Sequence, residues 1–243
     1  MHDKFAIVSN AVPEICEAFK KRSFKLIYTD RVDEFISYEQ THADMQCFNI
    51  GNTVFLLKEC TKLIESVASS ADFEIIQTSN DISCDYPNNI LLNVKIIGNN
   101  LIGKIDSIDR NLLDFCVNKG YKLINVKQGY TACSCLKVDE NSVITTDESI
   151  YRTLKEHNID VLKISNESIV LYGAKRGECG FIGGASVNLG DEILFFGDIT
   201  VHPEYRRISD FCINRNIKVS YISDIPLTDV GSAILLNISQ NES

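Results

Sequence analysis

Five repeats of one local order, a helix, a short strand and a hairpin, constrain the fold of this chain more than any other feature. Apolar side chains recur at helical spacing in five ranges, which predict amphipathic helices over 13–22, 60–69, 107–119, 147–157 and 203–215. The helix starts lie about 47 residues apart on average, a period typical of repeat architectures. We therefore expect five similar units.

Each predicted helix is followed by a short β-forming run and then by a longer alternating segment that reads as a hairpin. The short runs are 24–28, 73–76, 121–126, 161–164 and 219–222. The hairpin segments are 41–57, 88–105, 131–146, 181–197 and, split between the two ends of the chain, 228–237 with 3–9. Gly, Asn or Asp residues supply a turn near the middle of four of these segments.

This order predicts an α/β fold, specifically a β/α propeller of five ββαβ units with fivefold pseudosymmetry, closed by pairing of the terminal strands. The units are 36–80, 86–128, 129–165, 168–223, and 224–237 joined with 5–29, and together they form a single domain over 1–243. Closure of this kind leaves no open sheet edge. The alternative is an ordinary αβ sandwich with irregular strand order.

Polar and glycine residues mark the ends of two of the helices. Ser107 is a candidate N-cap of the third helix, and Gly120 is a candidate stop signal after it. Asp147 or Ser149 is the candidate N-cap of the fourth helix.

Charge and cysteine content exclude several classes of protein. The chain carries 24 basic and 33 acidic residues, a net charge of −9 and a pI near 5.0, which argues against a generic nucleic-acid binder. No apolar run reaches the ~18–20 residues of a membrane span, and the first residues do not read as a secretory signal. The nine cysteines contain no CxxC pair and only four histidines accompany them, so we expect free thiols, no metal, no organic cofactor and a cytoplasmic location.

Three hairpin segments carry polar motifs that resemble one superfamily. They read HADMQCF over 42–48, TACSCLKV over 131–138 and FIGGASVNLGDEILFFGD over 181–198. They resemble the His-x-Asp, cysteine and Glu-Gly-Gly-Asp segments of the pentein, or guanidino-group modifying enzyme, superfamily, and within it a bacterial branch. Those enzymes order the motifs Gly-Gly-Asp, His-x-Asp, Cys, which is the cyclic order found here. The resemblance implies a ring of five ββαβ units and chemistry on a C–N bond.

One departure from the superfamily pattern concerns substrate binding. The resembling enzymes hold a guanidinium with the two carboxylates of Glu-Gly-Gly-Asp, whereas Ile182 and Ala185 stand at those positions here. Each missing charged hydrogen bond removes roughly 1.5–3 kcal/mol, so arginine is expected to be a poor substrate. Three other acids are candidates to replace the missing pair: Glu178, Asp198, and Asp229 of the closing unit.

The candidate catalytic residues are His42, Asp44 and Cys133. His42 and Asp44 lie two apart on a predicted strand and are expected to share a face, which suits an imidazole oriented by a carboxylate. A solvated His-Asp pair on a loop is the alternative. Cys133 and Cys135 also share a predicted face, and alignment of Val54 with Val143 places Cys133 level with Asp44. The two thiols could equally be small core residues or a redox-sensitive pair.

The predicted site includes further substrate-binding residues. The resemblance and the hairpin order nominate Asp229, Gly183, Gly184, Cys135 and Glu178. The two glycines could let a backbone approach a ligand or could mark a bulge or tight packing. The loop 173–180, which contains Glu178, is a candidate lid or a plain surface loop. His202, just before the fifth helix, is interpreted as a helix-entry residue without catalytic function.

Two functions follow. The first is a cysteine-dependent hydrolase or transferase acting on a C–N bond of a small amidine-, guanidine- or amide-like compound through a thioester- or thiouronium-like intermediate. Cys133 would attack with a lowered pKa beside protonated His42, and Cys135 would react more slowly. The second is a non-catalytic binding module of the same fold. We expect a small-molecule partner, no nucleic acid and no membrane; homodimer formation is left open by the sequence.

Overall fold

The computed structural model describes residues 3–175 and 177–237, and within them five three-stranded sheets share one plan. In each sheet the first strand of a hairpin runs antiparallel to the second, and the third strand runs parallel to the second. A helix connects the second strand to the third, as a parallel pair requires. The fold class is therefore α/β, as predicted.

The strands are short, which suits five small sheets. They are β1 (Lys4–Val8), β2 (Phe24–Tyr28), β3 (Cys47–Ile50), β4 (Thr53–Leu56), β5 (Glu74–Gln77), β6 (Lys95–Ile97), β7 (Asn100–Gly103), β8 (Lys122–Asn125), β9 (Cys135–Asp139), β10 (Ser142–Thr145), β11 (Asp160–Lys163), β12 (Val170–Leu171), β13 (Ser186–Asn188), β14 (Glu192–Phe195), β15 (Lys218–Tyr221), β16 (Thr228–Asp229) and β17 (Ala233–Asn237). The five sheets are β17-β1-β2, β3-β4-β5, β6-β7-β8, β9-β10-β11 and β13-β14-β15; β12 and β16 form a separate parallel pair.

Seven α-helices accompany the strands. They are α1 (Pro13–Lys20), α2 (Ala43–Gln46), α3 (Thr61–Ser70), α4 (Arg110–Asn118), α5 (Thr131–Ser134), α6 (Glu148–Glu156) and α7 (Tyr205–Ile213). The five longer ones, all except α2 and α5, match the predicted helices. Each buries apolar residues at helical spacing, such as Ile150 and Leu154 of α6. No described helix has the length and apolar character needed to cross a membrane.

The helix ends show which capping predictions hold. The Asp147 carboxylate accepts a hydrogen bond from the Ile150 amide at 2.8 Å and caps α6, as expected. The cap of α4 is Asp109 rather than Ser107, because Ser107 lies in a preceding 3-10 turn (Ile105–Ser107). Gly120 ends that helix region with a φ of +81°, a conformation that favours glycine.

The two terminal strands pair in one sheet, as the split fifth hairpin predicted. β17 runs antiparallel to β1, with Ile7 opposite Ile234, and β1 runs parallel to β2. Leu236 of β17 is fully buried. The C-terminal strand therefore completes the sheet that the N-terminal strand begins.

The segments just before β3 and β9 differ from the prediction, because they are the short helices α2 and α5 rather than strand. The register differs as well. Cys47 is the first residue of β3, opposite Leu56, and Cys135 is the first residue of β9, opposite Thr145. Cys133 therefore corresponds to Met45 rather than to Asp44. A bulge between Ser142 and Val143 shifts the pairing and accounts for the error, because counting back from the turn assumes unbroken register.

The first strand of each sheet lies at that sheet's edge, and these five strands face one another. We call β3, β6, β9, β13 and β17 the inner strands. β17 contacts β3 and β13, β13 also contacts β9, and β9 contacts β6. The inner strands have two ends. At the upper end α2 leads into β3 and α5 leads into β9. At the lower end β3, β6, β9 and β13 enter the turns of their hairpins.

Candidate functional site

A cluster of buried polar residues lies at the upper end of the inner strands. His42, Asp44, Cys133 and Asp229 are only 4%, 1%, 3% and 1% exposed, and Glu39 is also buried. Three of these residues are carboxylates, and buried carboxylates without cationic partners are rare in protein interiors. This acidic site, defined as these five residues, is the strongest functional candidate in the described structure.

Hydrogen bonds connect the upper ends of the five hairpins in a closed series. Each bond leads from one hairpin to a neighbour, and the fifth returns to the first. The bonds are Asp44 N to Gly231 O (3.0 Å), Ser232 N to Gly184 O (2.8 Å), Gly184 N to Cys133 O (3.0 Å), Ala132 N to Asn93 Oδ1 (2.7 Å) and Asn93 Nδ2 to Asp44 O (3.1 Å). The backbone around the acidic site is therefore held by contacts between residues far apart in sequence.

Cys133 has neither of the local properties expected from the sequence. It lies in α5 instead of a strand, and burial raises the pKa of its thiol well above the usual value. The charges of Asp44 and Asp229 raise it further, and the only opposing contact is the Asn93 amide, whose Nδ2 lies 3.2 Å from Sγ. The prediction of a lowered pKa is therefore wrong, because burial and then the charges of Asp44 and Asp229 outweigh the contact with Asn93.

His42 and Asp44 have side chains without protein partners. Neither ring nitrogen of His42 and neither carboxylate oxygen of Asp44 has a hydrogen-bond partner among the described residues. His42 lies just before α2 and Asp44 lies inside it, so they do not share the face of a strand as predicted. An unsatisfied buried polar group costs about 1–3 kcal/mol. Such groups gathered around a thiol are typical of a site built for a polar ligand.

Asp229 lies beside His42 and is held by backbone donors. Its carboxylate accepts hydrogen bonds from the Phe181 amide at 2.8 Å and the Gly231 amide at 3.0 Å. Burial raises its pKa to about 6, with the positive influence of His42 opposing and Asp44 adding to the rise. Of the three acids that the sequence offered as replacements, Asp229 is the one that reaches the buried site.

Glu39 belongs to the site but was not identified from the sequence. Burial and then the charges of Asp44 and Asp229 raise its pKa to about 7, against a hydrogen bond with Tyr130. Its Oε2 has no partner among the described residues. The backbone places it here, because the His42 amide donates to the Glu39 carbonyl at 3.0 Å in a tight turn. Glu39 lies in an irregular segment, so no periodic pattern marks it.

Tyr130 and Asn89 form the polar margin of the site beside Glu39. The Asn89 amide donates to the Tyr130 hydroxyl at 2.8 Å. Burial, followed by the Glu39 charge, raises the pKa of Tyr130 to about 12, so the phenol remains a neutral hydrogen-bonding group. Tyr86 stacks on Tyr130 with ring centroids 6.0 Å apart. These aromatic rings restrict solvent access from that side.

The two glycines allow close packing of protein atoms, and Gly183 also lines a cavity between the inner strands. A Cβ at Gly183 would lie 2.3 Å from the Ala132 carbonyl oxygen, and one at Gly184 would lie 1.9 Å from Asp229 Oδ1. Of the alternatives left open by the sequence, tight packing is what the structure shows. Ile182 and Ala185, which replace the superfamily's carboxylates, are fully buried in an apolar core cluster.

Cys135 and Glu178 lie outside the acidic site, although both were predicted to bind substrate. Cys135 packs in an apolar cluster with Val143 and Ile150, and burial raises its pKa to about 12. Glu178 is exposed on the loop 173–180, where its charge acts on Tyr38. Cys135 differs from Cys133 because it is already the first residue of β9, so its side chain points elsewhere.

The remaining polar residues near the inner strands bear on metals and charge. No group of three or more His, Cys, Asp or Glu residues suited to a metal occurs in ranges 3–175 and 177–237.

Lys95 at the start of β6 was missed by the sequence analysis. Burial lowers the pKa of its ammonium, while the charges of Asp44, Cys135 and Cys133 oppose that shift.

Solved structures of similar fold come from one superfamily. DDAH from Pseudomonas aeruginosa complexed with citrulline is similar with a TM-score of 0.57 and 8% identity, covering 92% of this chain and 93% of that one. The amidinotransferase SxtG from Microseira wollei gives 0.60 and 9%, covering 98% and 95%. Agmatine deiminase from C. jejuni gives 0.54 and 9%, covering 91% and 87%. These are members of the pentein superfamily, and the likeness shows that this chain has their fold.

The sequence itself places the chain in a narrower group. No curated protein matches it. A family profile, however, matches residues 7–234, which is nearly the whole chain. The chain therefore belongs to the family of unknown function DUF6873, and it has the fold of the pentein enzymes.

Proposed function

We propose that this chain is a cysteine-dependent hydrolase or transferase that acts on a C–N bond of a small amidine- or guanidine-type cation. Cys133 is the nucleophile, His42 is the acid and base, and Asp44, Asp229 and Glu39 hold the cation. The observation that carries the proposal is the set of three buried carboxylates around one thiol, with Asp44 and Glu39 oxygens unpartnered among the described residues. Fold neighbours that act on amidino groups support the reaction class.

The charge of the site favours a cation over a neutral amide. Three carboxylates gather near a single imidazole, and burial, followed by repulsion between the carboxylates, raises the pKa values of Glu39 and Asp229. A planar amidinium carries several N–H donors and one positive charge, which suits the unpartnered oxygens of Asp44 and Glu39 in polarity and sign. The missing pair at Ile182 and Ala185 still predicts that arginine itself is a poor substrate.

Binding of a cation would also activate the nucleophile. The raised pKa of Cys133 has its largest electrostatic causes in Asp44 and Asp229. A bound amidinium neutralises these charges and adds a positive charge beside Sγ, so the pKa of the thiol falls when the substrate is present. The thiolate then forms where the electrophilic carbon lies, which protects an empty site from unwanted reactions.

The reaction balances with His42 as the single proton carrier. His42 takes the Cys133 proton, Sγ attacks the amidinium carbon, and the C=N electron pair moves to nitrogen. The C–N bond then breaks, and the leaving amine takes the proton from His42. In the second half His42 removes a proton from water, the oxygen attacks the carbon, and Sγ leaves and recovers its proton. A transferase would use an amine in place of that water.

The site's position supports the fivefold propeller as the finer description of the fold. Five sheets of identical plan, a closed series of hydrogen bonds between their upper ends and paired terminal strands fit one ring built by a single domain over 1–243. In such a ring the acidic site lies on the central axis. A small-molecule partner, rather than a nucleic acid or a membrane, suits a site whose polar residues are buried.

The test uses two alkylating probes of equal shape, cationic 2-chloroacetamidine and neutral 2-chloroacetamide. Cys84 and Cys179 are exposed and would react first with either probe, so both are replaced by serine in the test background. We expect the amidinium probe to label Cys133 at least about 10-fold faster than the amide, since one charge-assisted hydrogen bond is worth about 1.5–3 kcal/mol. Cys133→Ser abolishes the selective labelling, and mass spectrometry of peptides assigns the site.

Two outcomes contradict the proposal. Equal rates for the two probes would show that the acidic site does not select cations. Preferential labelling of Cys135 or of another buried cysteine would show that Cys133 is not the nucleophile. In either case the non-catalytic binding module becomes the better interpretation of the fold.

A further inference from the structure

The lower end of the inner strands borders an open cavity that the proposed chemistry does not use. Its volume is about 460 Å³, within the range of small-molecule sites. All five inner strands line it, from β3 through β17, together with residues of the hairpin turns such as Gly51 and Gly98. The acidic site lies at the opposite end of the same strands. A ligand in this cavity would therefore contact every sheet at once.

Lys95 brings to the wall of this cavity an ammonium group that has no ion pair among the described residues. Two lysines and one glutamate line the walls, and Lys137 is paired with Glu140 at 2.5 Å. Lys95 forms no ion pair with any residue in the described part of the chain. Its side chain is only partly exposed, and burial lowers the pKa of its ammonium. The charge of Asp44 acts on Lys95 from the upper end, but an ammonium held among protein atoms without a close ion pair is further stabilised by an anion.

The backbone of the inner strands adds donors to the same space. Each inner strand is an edge strand, hydrogen-bonded within its own sheet on one side only. Every second amide and carbonyl of such a strand points away from its sheet, toward the neighbouring unit or the cavity. Asn49 and Asn188 cover some of these carbonyls with their amide groups. The remaining N–H groups are suitable partners for oxyanions.

We propose that the cavity at the lower end of the inner strands binds a small oxyanion, a carboxylate or a phosphate, through the Lys95 ammonium. The ligand occupies the space between the five hairpins and is separate from the amidine-type substrate of the acidic site. The net charge of −9 makes non-specific anion binding elsewhere on the protein weak. Stoichiometric binding of an anion would therefore report on this cavity.

The test is isothermal titration calorimetry with succinate and, in a second arm, inorganic phosphate. Sodium chloride at equal ionic strength serves as the reference. We expect one anion per chain, and the stronger arm identifies the carboxylate or the phosphate as the preferred chemistry. Lys95→Met weakens binding at least about 10-fold, because a charge-assisted hydrogen bond is lost. Lys137→Met changes the affinity less than about 3-fold, because Glu140 already neutralises that lysine.

The same measurements can overturn the proposal. Absence of one-to-one binding of both anions to the wild-type chain rules the site out, as does equal affinity in wild type and Lys95→Met. Should Lys95→Met fold poorly, Lys95→Gln takes its place and Lys95→Arg must retain binding. Labelling of Cys133 by the cationic probe is measured on the wild-type chain, where Lys95 is intact, so failure of the cavity proposal and failure of the catalytic proposal remain distinguishable.

Discussion

The two ends of the inner strands have opposite electrostatic character. At the upper end, short helices and tight turns bury three carboxylates around Cys133. At the lower end, the hairpins separate and leave a cavity of about 460 Å³ with Lys95 on its wall. The same five strands thus connect a negative, enclosed site to a positive, open one.

The difference shows how one architecture offers two kinds of environment. Close approach at the upper end depends on glycine, since Gly183 and Gly184 lie against neighbouring backbone and side-chain atoms. The turns at the lower end need a positive φ and approach their neighbours less closely, since Gly51 has no atom within 4 Å of its missing Cβ and Gly98 has the Glu140 carbonyl oxygen at 3.0 Å. Gly183 and Gly184 therefore bring neighbouring units into close contact beside the proposed chemistry, so variants at the two ends should differ in effect.

The largest effect is expected from removing the imidazole of the upper end. His42→Ala should slow modification of Cys133 by the cationic probe by about 10²-fold, the usual size of a general acid–base contribution. The control is His202→Ala, which removes an equally buried imidazole that caps local structure through Ser165 and Glu204. It should leave the labelling rate unchanged. Equal effects of the two variants, measured by peptide mass spectrometry, would contradict the role of His42.

A smaller effect, on stability, is expected from filling the tight contact at Gly184. In Gly184→Ala the new Cβ would lie 1.9 Å from Asp229 Oδ1, and Asp229 is held by two backbone amides. The variant should lose about 1–3 kcal/mol of unfolding free energy in urea titration. Gly51→Asn at the lower end has space and keeps the left-handed φ, so it should be close to neutral. A neutral Gly184→Ala would show that the two ends are packed alike.

The smallest effect is expected in the pH dependence of stability. The pKa of Glu39 is raised from 4.5 to about 7, so the folded state binds more protons than the unfolded state between these values. Wild-type stability should therefore fall as pH rises through this window and level off above it. Glu39→Gln should remove about 1–3 kcal/mol of this fall.

Urea titrations at about pH 5 and about pH 8 measure how much unfolding free energy the wild type and Glu39→Gln each lose as the pH rises. The exposed Glu65→Gln variant is the control and should follow the wild type at both pH values. An unchanged slope in Glu39→Gln would mean that Glu39 titrates normally, and the acidic character of the upper end would then rest on Asp44 and Asp229 alone. Asp229, whose pKa is raised to about 6, should contribute a residual slope of the same sign.

Much of the architecture could be predicted because it depends on local patterns. Helix α6 follows from Asp147 as its cap and from Ile150 and Leu154 at helical spacing. The pairing of β17 with β1 follows from an apolar strand left without a partner at each end of the chain. Identification of His42, Asp44, Cys133 and Asp229 rested on short motifs in a repeated context, and all four lie in the buried cluster.

The sequence by itself determined the repeated elements, the terminal pairing and the residue types available for chemistry. Tertiary structure alone decided that Glu39 joins the site, that Cys135 does not, and that Lys95 lines the cavity at the lower end. It also decided the raised pKa of Cys133. The physical reason is that secondary structure depends on neighbours in sequence, whereas burial and electrostatics sum over all groups brought together by folding.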